Sequence, residues 1–332
     1  MIPPATSNRS DVKQEVRQFY DQVGWSLVGE DRYQNARYED LRPVSREYIH
    51  RCHLRVGRHI AQSGKYLLDA GSGPIQYLEY LEYSLPKFEP VVSNRSVVLN
   101  RFSQPAEHST GYRYRVCADI SITALKEARK RIERSCPTVE HGLFVVADVA
   151  NLPFKSGVFE GIVSLHTIHH LPEDEHLRAY GELFRLLAPE KSAVVVNGWP
   201  GSPLMSFFEP LVRLSDHIRS LANRITGRNK STAQEQVQNK RKKSKKAVTN
   251  IEDQPKGTFT SRHDVTWVKD VVGAQMPVEI LVWRSASVRF LRAVIIPWLG
   301  GRYWLRLLYA LEERYPHYFG ENGQYPLIVI RK

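Results

Sequence analysis

Three cysteines in 332 residues, Cys52, Cys117 and Cys136, are too few and too widely spaced for a disulfide framework or a zinc site. That scarcity fits a chain kept in a reducing cytoplasm. Long apolar runs are missing as well. The most apolar segment, 290–311, is interrupted by Arg292, Arg302 and Arg306, which argues against a spanning helix. The first ten residues are polar and lack the apolar stretch of a secretory signal. No internal repeat is present. The composition that remains, 42% hydrophobic and 10% aromatic, is that of a globular chain able to bury a sizeable core.

The net charge of +12 invites a nucleic-acid reading, but its distribution weakens it. Between Gly227 and Lys246 eight basic residues stand against Glu235 alone, so seven of the twelve charges belong to this one tract. The remainder is ordinary, and nucleic acid is not an expected partner. Residues 225–258 are polar, lysine-rich and nearly free of aromatics, the composition of a mobile loop. Contact with nucleic acid or anionic lipid is the sharper alternative for it.

An amphipathic helix is expected near the start, at 11–20, and a second helix at about 44–61. Short apolar runs then alternate with helical stretches. The runs are 66–70, 114–118, 143–147, 161–165 and 193–196, with 278–283 and 326–330 near the end. Val, Ile and Leu on consecutive positions mark strands buried on both faces, which belong to parallel sheets covered by helices. Helices are expected at 75–83, 121–134 and 173–187, with Ser121 as an N-cap, and at 287–315. The pattern predicts a doubly wound, mostly parallel, seven-stranded Rossmann-like α/β sheet with helical insertions over the active-site edge. The organisation expected is an N-terminal helical cap over 1–62 and a cofactor-binding core over 63–200 with an insertion at 85–112. A second insertion over 201–276 and a closing segment over 277–332 complete it.

The first strand runs into Leu67-Leu68-Asp69-Ala70-Gly71-Ser72-Gly73-Pro74. Glycines at such a turn let the backbone approach a ligand closely. A phosphate loop would need Gly-Lys-Ser/Thr, and a dinucleotide fingerprint would need glycine where Gln76 stands. The adenosylmethionine turn, acidic-x-Gly-x-Gly, remains. Its ligand carries an ammonium group, which an acidic residue at the strand end can receive. The second strand ends at Asp119, placed to accept ribose hydroxyls, and the third at Asp148. Three carboxylates thus close three successive strands at the edge where open α/β sheets bind ligands.

This set resembles the class I S-adenosylmethionine-dependent methyltransferases. It is most similar to the small-molecule branch that includes the ubiquinone and menaquinone C-methyltransferases (methyltransferase type 11). Leu152-Pro153-Phe154, His169-His170-Leu171-Pro172 and Leu186-Leu187-Ala188-Pro189 carry the resemblance, which covers about 60–200 and extends weakly to the last strand pair. It implies S-adenosyl-L-methionine as cofactor, with Asp69, Ala70, Gly71, Ser72 and Gly73 lining its methionine end. It also implies Asp119 and Ile120 at the ribose, Asp148 and the Val149 backbone at the adenine, and Leu165 and His166 facing the sulfonium and the acceptor. Tyr20 resembles a tyrosine that closes over the cofactor in this branch, core packing being the alternative. Two departures stand out. Ile75 replaces a glycine, and Asp119 follows Asp69 by 50 residues where dinucleotide folds have about 20.

His166 is either a general base or a wall of the pocket. His169 and His170 are expected to pack or cap, and no metal is expected. The expected acceptor is a small molecule, apolar or lipid-like, methylated at oxygen, nitrogen or carbon. The rivals are an enzyme acting on RNA or protein, and a cofactor-binding protein without turnover. Trp199, Phe207 and Phe208 from one insertion, with Trp298, Tyr303 and Trp304 from the other, are candidates to roof the acceptor. Packing against the sheet, or a helix lying on a membrane surface with Arg302 and Arg306 flanking its apolar stripe, are the other readings of the second group.

Overall fold

In the central strands every residue of a run is inaccessible: Leu67, Leu68 and Ala70; Ile162 and Val163; Ala193 to Val196. Such residues need cover on both faces, and the fold supplies it. The computed structural model describes residues 9–25, 40, 42–75, 111–135, 142–225 and 258–332. Seven strands form one sheet: β1 (Ser63–Ala70), β2 (Gly111–Asp119), β3 (Gly142–Val146), β4 (Phe159–Leu165), β5 (Leu187–Val196), β6 (Val278–Arg284) and β7 (Tyr325–Arg331). Their order is β3-β2-β1-β4-β5-β7-β6. The pairs from β3 to β5 are parallel, and β7 runs antiparallel between β5 and β6. The expected doubly wound, mostly parallel sheet is borne out.

Alternate residues of each strand serve opposite layers. Leu67, Cys117, Val163, Val194, Trp283 and Val329 face one core, shared with α2 (Pro43–Gly57) and α3 (Ile122–Ser135). Leu68, Ala118, Ile162, Val195 and Ile328 face the other. That second layer is closed by α4 (His176–Leu186) and by a short helix, Val265–Trp267, that runs on into a π-turn, Val268–Val272. Helix α1 (Arg9–Phe19) buries Val12, Val16 and Phe19 and continues into a π-helical turn, Tyr20–Gly24. Ser121 caps α3 as expected, its hydroxyl accepting from the Ala124 amide at 3.1 Å.

The insertion after β5 is a long helix, α5 (Pro203–Ile225). The expected helical stretch 287–315 is broken into α6 (Val288–Val294), a 3-10 turn (Pro297–Leu299) and α7 (Gly301–Arg314), before α8 (Pro316–Asn322). Pro297 removes a backbone donor and Gly300 takes φ +74°, so one helix cannot continue through them. Buried Glu312 of α7 ties this segment to the rest. It accepts from Tyr48 (2.6 Å), Arg55 (2.8 Å) and both the amide and hydroxyl of Ser285. The expected loop 225–258, the helix 75–83 beyond Ile75 and the insertion 85–112 up to residue 110 lie outside the described residues.

Candidate active site

The carboxyl ends of β1, β2 and β4 meet around the Gly71–Gly73 turn. The Gly71 and Ser72 amides both donate to the Ala118 carbonyl, at 2.7 and 3.2 Å. The Thr167 hydroxyl donates to the Gly71 carbonyl at 3.1 Å. Gly71 has φ +73°, and a Cβ there would stand 2.1 Å from Thr167 Cγ2, so only glycine fits. Gly73 (φ +53°) donates its amide to Asp119 at 2.8 Å. Ile75, where the related turns carry glycine, also has a positive φ, +53°, with its side chain buried. A β-branched residue in that region is strained, so the turn keeps glycine's conformation without its freedom.

Asp119 accepts from the Gly73 and Ser121 amides, both at 2.8 Å, and is almost inaccessible. Burial pushes its pKa up to about 6, the two amides opposing that and the charges of Asp69 and Asp21 adding to it. Asp69 is buried against the fully enclosed Arg115 guanidinium from the adjacent strand. It is therefore not a lone anion waiting for an ammonium group, as the sequence suggested; it is already charge-compensated. Asp148 divides its oxygens between the Ala150 amide (2.9 Å) and the Lys13 ammonium (2.5 Å). It thus caps its turn and anchors α1 at once. Val149 is buried, and Ile120 and Leu165 are half-buried.

The N-terminal segment lies across this edge. Lys13 bridges Asp148 and Glu175. Burial pulls its pKa down, but hydrogen bonds and the charges of both carboxylates outweigh that and raise it. Asp21 accepts from the Ser121 hydroxyl at 2.6 Å. Tyr20 stacks on Trp25, whose indole covers Gly73 so closely that an added Cβ would sit 3.0 Å from it. The Tyr20 hydroxyl is 2.8 Å from His170 Nε2, and His170 Nδ1 is 2.9 Å from the Phe259 carbonyl. Burial holds the His170 pKa down to about 4, so the ring is neutral. The carbonyl can only accept, which puts the proton on Nδ1 and makes Nε2 the acceptor from Tyr20.

On the β4–β5 side, His166 has φ +58° and donates its amide to the Val196 carbonyl at 2.7 Å. Its ring stands edge-on to Trp283 (5.0 Å) and Tyr325 (5.6 Å), over both of which the Arg284 guanidinium lies. A recess of about 300 Å³, counting its open mouth, is lined by His169, Tyr180, Asn197 and Trp199, with Ser261 and Arg262 also on its wall. Burial holds the His169 pKa well below its ordinary value, and the nearby Arg262 guanidinium adds to that.

The expected roof is not formed as drawn. Trp199 is buried, its indole N–H donating to the Gly320 carbonyl at 2.8 Å. Trp304, Tyr303, Trp298 and Phe207 are exposed. Helix α7 buries Leu305, Tyr309 and Glu312, and α2 packs on it, which leaves Trp304 pointing outward. Trp283 and Tyr325, not Trp304, are the aromatic neighbours of His166. Lys13, Trp25, Arg115, Thr167, Trp283, Arg284 and Tyr325 escaped the sequence reading. For Trp283 alone was there a signal, as the bulky end of an expected strand. Among the described residues no cluster of His, Cys, Asp or Glu is arranged to hold a metal.

Residues 101–190 match the family described as Methyltransferase domain. The fold is shared with solved structures at low identity. The Haemonchus contortus phosphoethanolamine N-methyltransferase 1, solved with phosphoethanolamine and S-adenosylhomocysteine, is 8% identical, with 98% of this chain and 50% of that chain covered and a TM-score of 0.50. The [4+2]-cyclase SpnF is 14% identical over 96% of each chain, with a TM-score of 0.45. The YcgJ protein of Bacillus subtilis is 12% identical over 86% of this chain and 99% of that one, with a TM-score of 0.41. No curated protein matches the chain by sequence.

Proposed function

We propose that this chain, whose residues 101–190 match a methyltransferase domain, is an S-adenosylmethionine-dependent enzyme that methylates a small, largely apolar molecule held on the β4–β5 side of the cofactor edge. The observation that carries the cofactor half of this reading is Asp119. This buried carboxylate accepts one backbone amide on each oxygen, which leaves each oxygen a further lone pair, and a ribose diol would supply two donors. The Gly71–Gly73 backbone, where the two glycines carry no side chain, suits the methionine end, with Ala70 and Ser72 beside it and Asp69 held in place by Arg115. Asp148 and the Val149 amide suit the adenine once Lys13 yields its oxygen, while Ile120 and Leu165 supply apolar walls.

Bound there, S-adenosylmethionine supplies an already activated methyl group, so the protein has chiefly to align the acceptor and keep water out. Two groups of residues suit that work. The Tyr20–Trp25 stack covers the glycine turn, and the recess beside Trp199 and Tyr180, with Trp283 and Tyr325 around His166, offers apolar walls to the acceptor. His166, beside these rings, is placed to take a proton from a hydroxyl or an acidic carbon. This reading keeps the division expected from sequence as part of the proposal: a segment over 1–62, a core over 63–200, an insertion over 201–276 and a closing segment over 277–332.

Calorimetry with S-adenosylhomocysteine should give one saturable site. Transfer of a labelled methyl group should yield a small extractable product. Label recovered in precipitated RNA or protein would overturn the small-molecule reading while leaving the cofactor reading standing. Replacing His166 by Asn should lower turnover and remove the acid limb of its pH profile if the imidazole takes the proton. An unchanged profile would leave it as a wall.

A further inference from the structure

Among its described residues, helix α5 is docked along one side. Phe208 packs on Phe290 of α6 at 5.5 Å, Val212 is buried, and the Ser215 hydroxyl donates to the Ala293 carbonyl at 2.6 Å. Its other side carries Phe207, Leu211, Leu214, Ile218 and Leu221, all exposed, Phe207 by 76%. Their alternating spacing of four and three puts them in one stripe along the helix. A second exposed group follows α6. Trp298 (80% exposed) and Leu299 occupy the 3-10 turn, and Tyr303 (75%), Trp304, Leu307 and Leu311 follow on α7. The bond from Ser215 to Ala293 brings the middle of α5 close to the end of α6, a few residues before that turn. Isolated exposed apolar residues need no explanation, but this many on adjoining elements do.

We infer that this surface, the free side of α5 with the α6–α7 turn, seats the protein on an anionic membrane surface. Three observations favour that occupant. Trp and Tyr, amphipathic rings suited to the boundary between headgroups and acyl chains, stand among the most exposed residues. The charge is complementary: 288–314 carries five arginines against two glutamates, and the tract with a net charge of +7 begins two residues after α5 ends. A second copy of the chain would bring the same positive charge to the contact, within a Debye length of itself, so self-association is the poorer match. Among the described residues no helix is long and apolar enough to cross a membrane, so contact would be peripheral. Both α5 and α6 follow parallel strands, β5 and β6, at their carboxyl ends. A seated molecule would therefore turn its cofactor edge toward the bilayer. That last clause alone rests on the proposed function, where it would let an apolar acceptor be drawn from the lipid.

The test is sedimentation of the full chain, without cofactor, with vesicles of phosphatidylcholine alone and with about a third phosphatidylglycerol. Binding to the mixed vesicles is expected, weakened by raised salt and lowered tenfold or more by the pair L214E/I218E and separately by W298S/L299S. All four residues are exposed, so thermal unfolding should match the parent. S-Adenosylhomocysteine binding, measured without vesicles, should also be unchanged and reports on the cofactor reading independently. The inference is overturned if the parent ignores mixed vesicles or if both variants bind like it. It is equally overturned if removing 228–246 alone abolishes binding while L214E/I218E leaves it intact. A concentration-dependent dimer that L214E/I218E disperses, in a chain that ignores vesicles, would assign the surface to self-association instead.

Discussion

The two halves of the sheet treat their exceptional residues in opposite ways. Around β1, β2 and β3 the exceptional residues are charged, and each has a partner within the chain: Asp69 with Arg115, Asp119 with two amides, Asp148 with Lys13. Beyond β5, buried Glu312 and Arg284 apart, they are apolar or aromatic, and they divide between near-complete burial, as in Trp199 and Trp283, and wide exposure, as in Trp298 and Phe207. A polar group meant for a ligand can rest on an internal donor and exchange it when the ligand arrives, because the two hydrogen bonds are alike in energy. An apolar face has no such substitute. It is either covered by the fold or left for something outside the chain.

The largest effect is expected at Trp283. Truncation to Ala should cost about 3–5 kcal/mol of stability, read by denaturant unfolding, since the ring is enclosed between β6, His53 and Tyr325. A loss below about 1 kcal/mol would mean that the acceptor half is loosely packed rather than sorted into covered and free surface. Next comes Gly71→Val. Its Cβ has no room beside Thr167, and its φ is wrong for any branched residue. Cofactor affinity should fall about a hundredfold or more, with about 1–3 kcal/mol of strain in the fold. Adding Thr167→Ala should relieve the collision but not the strain, and so restore binding only in part.

Asp119→Ala should weaken S-adenosylhomocysteine binding by about 1.5–3 kcal/mol. The pH dependence sharpens this. The folded-state pKa is raised from 3.8 to about 6, so the carboxyl favours its protonated form in the fold. Its contribution to stability is full below the ordinary value and is lost as pH rises through about 6. Ligand hydroxyls favour the ionised form, so affinity should decline as pH falls below about 6, and the decline should vanish in Asp119→Asn. A parent profile flat from pH 5 to 8 would place the ribose elsewhere. The smallest effect belongs to Tyr20→Phe, which removes one hydrogen bond to neutral His170, about 0.5–1.5 kcal/mol. It should speed proteolysis within 9–25 while leaving the sheet's unfolding midpoint nearly unchanged.

All seven strands could be read from sequence because burial on both faces leaves consecutive apolar residues, a pattern that tertiary placement does not alter. The Gly71–Gly73 turn was legible for a similar reason: its chemistry is local. Arg115 was hidden because a single basic residue inside an apolar strand does not say which neighbour it meets. The Lys13 bridge to Asp148 joins residues far apart in the chain, and no spacing reports such a pair. The aromatic stripes were visible, but a stripe shows only that a helix has two sides. That α7 turns Leu305 and Tyr309 toward α2 and Trp304 to solvent depends on where α2 docks. The break at Pro297 and Gly300 carried a readable signal that the long helical expectation passed over. The matched domain is a general one and does not separate the quinone-modifying branch from its relatives.

The position of β7 governs the order in which the molecule can assemble. Ser192 pairs with Arg331 and Val278 with Ile330, so one strand near the end of the sequence fills a slot between two that are made earlier. Until it arrives, the Ala193–Val196 ladder is a bare, hydrophobic edge, and β6 has nothing to join. Contacts so distant in sequence form slowly, and an unpaired edge of valines is a template for the wrong chain. Refolding yield should therefore fall steeply as protein concentration rises, with light scattering appearing before native fluorescence. A yield independent of concentration would mean that the edge is shielded by other means while it waits.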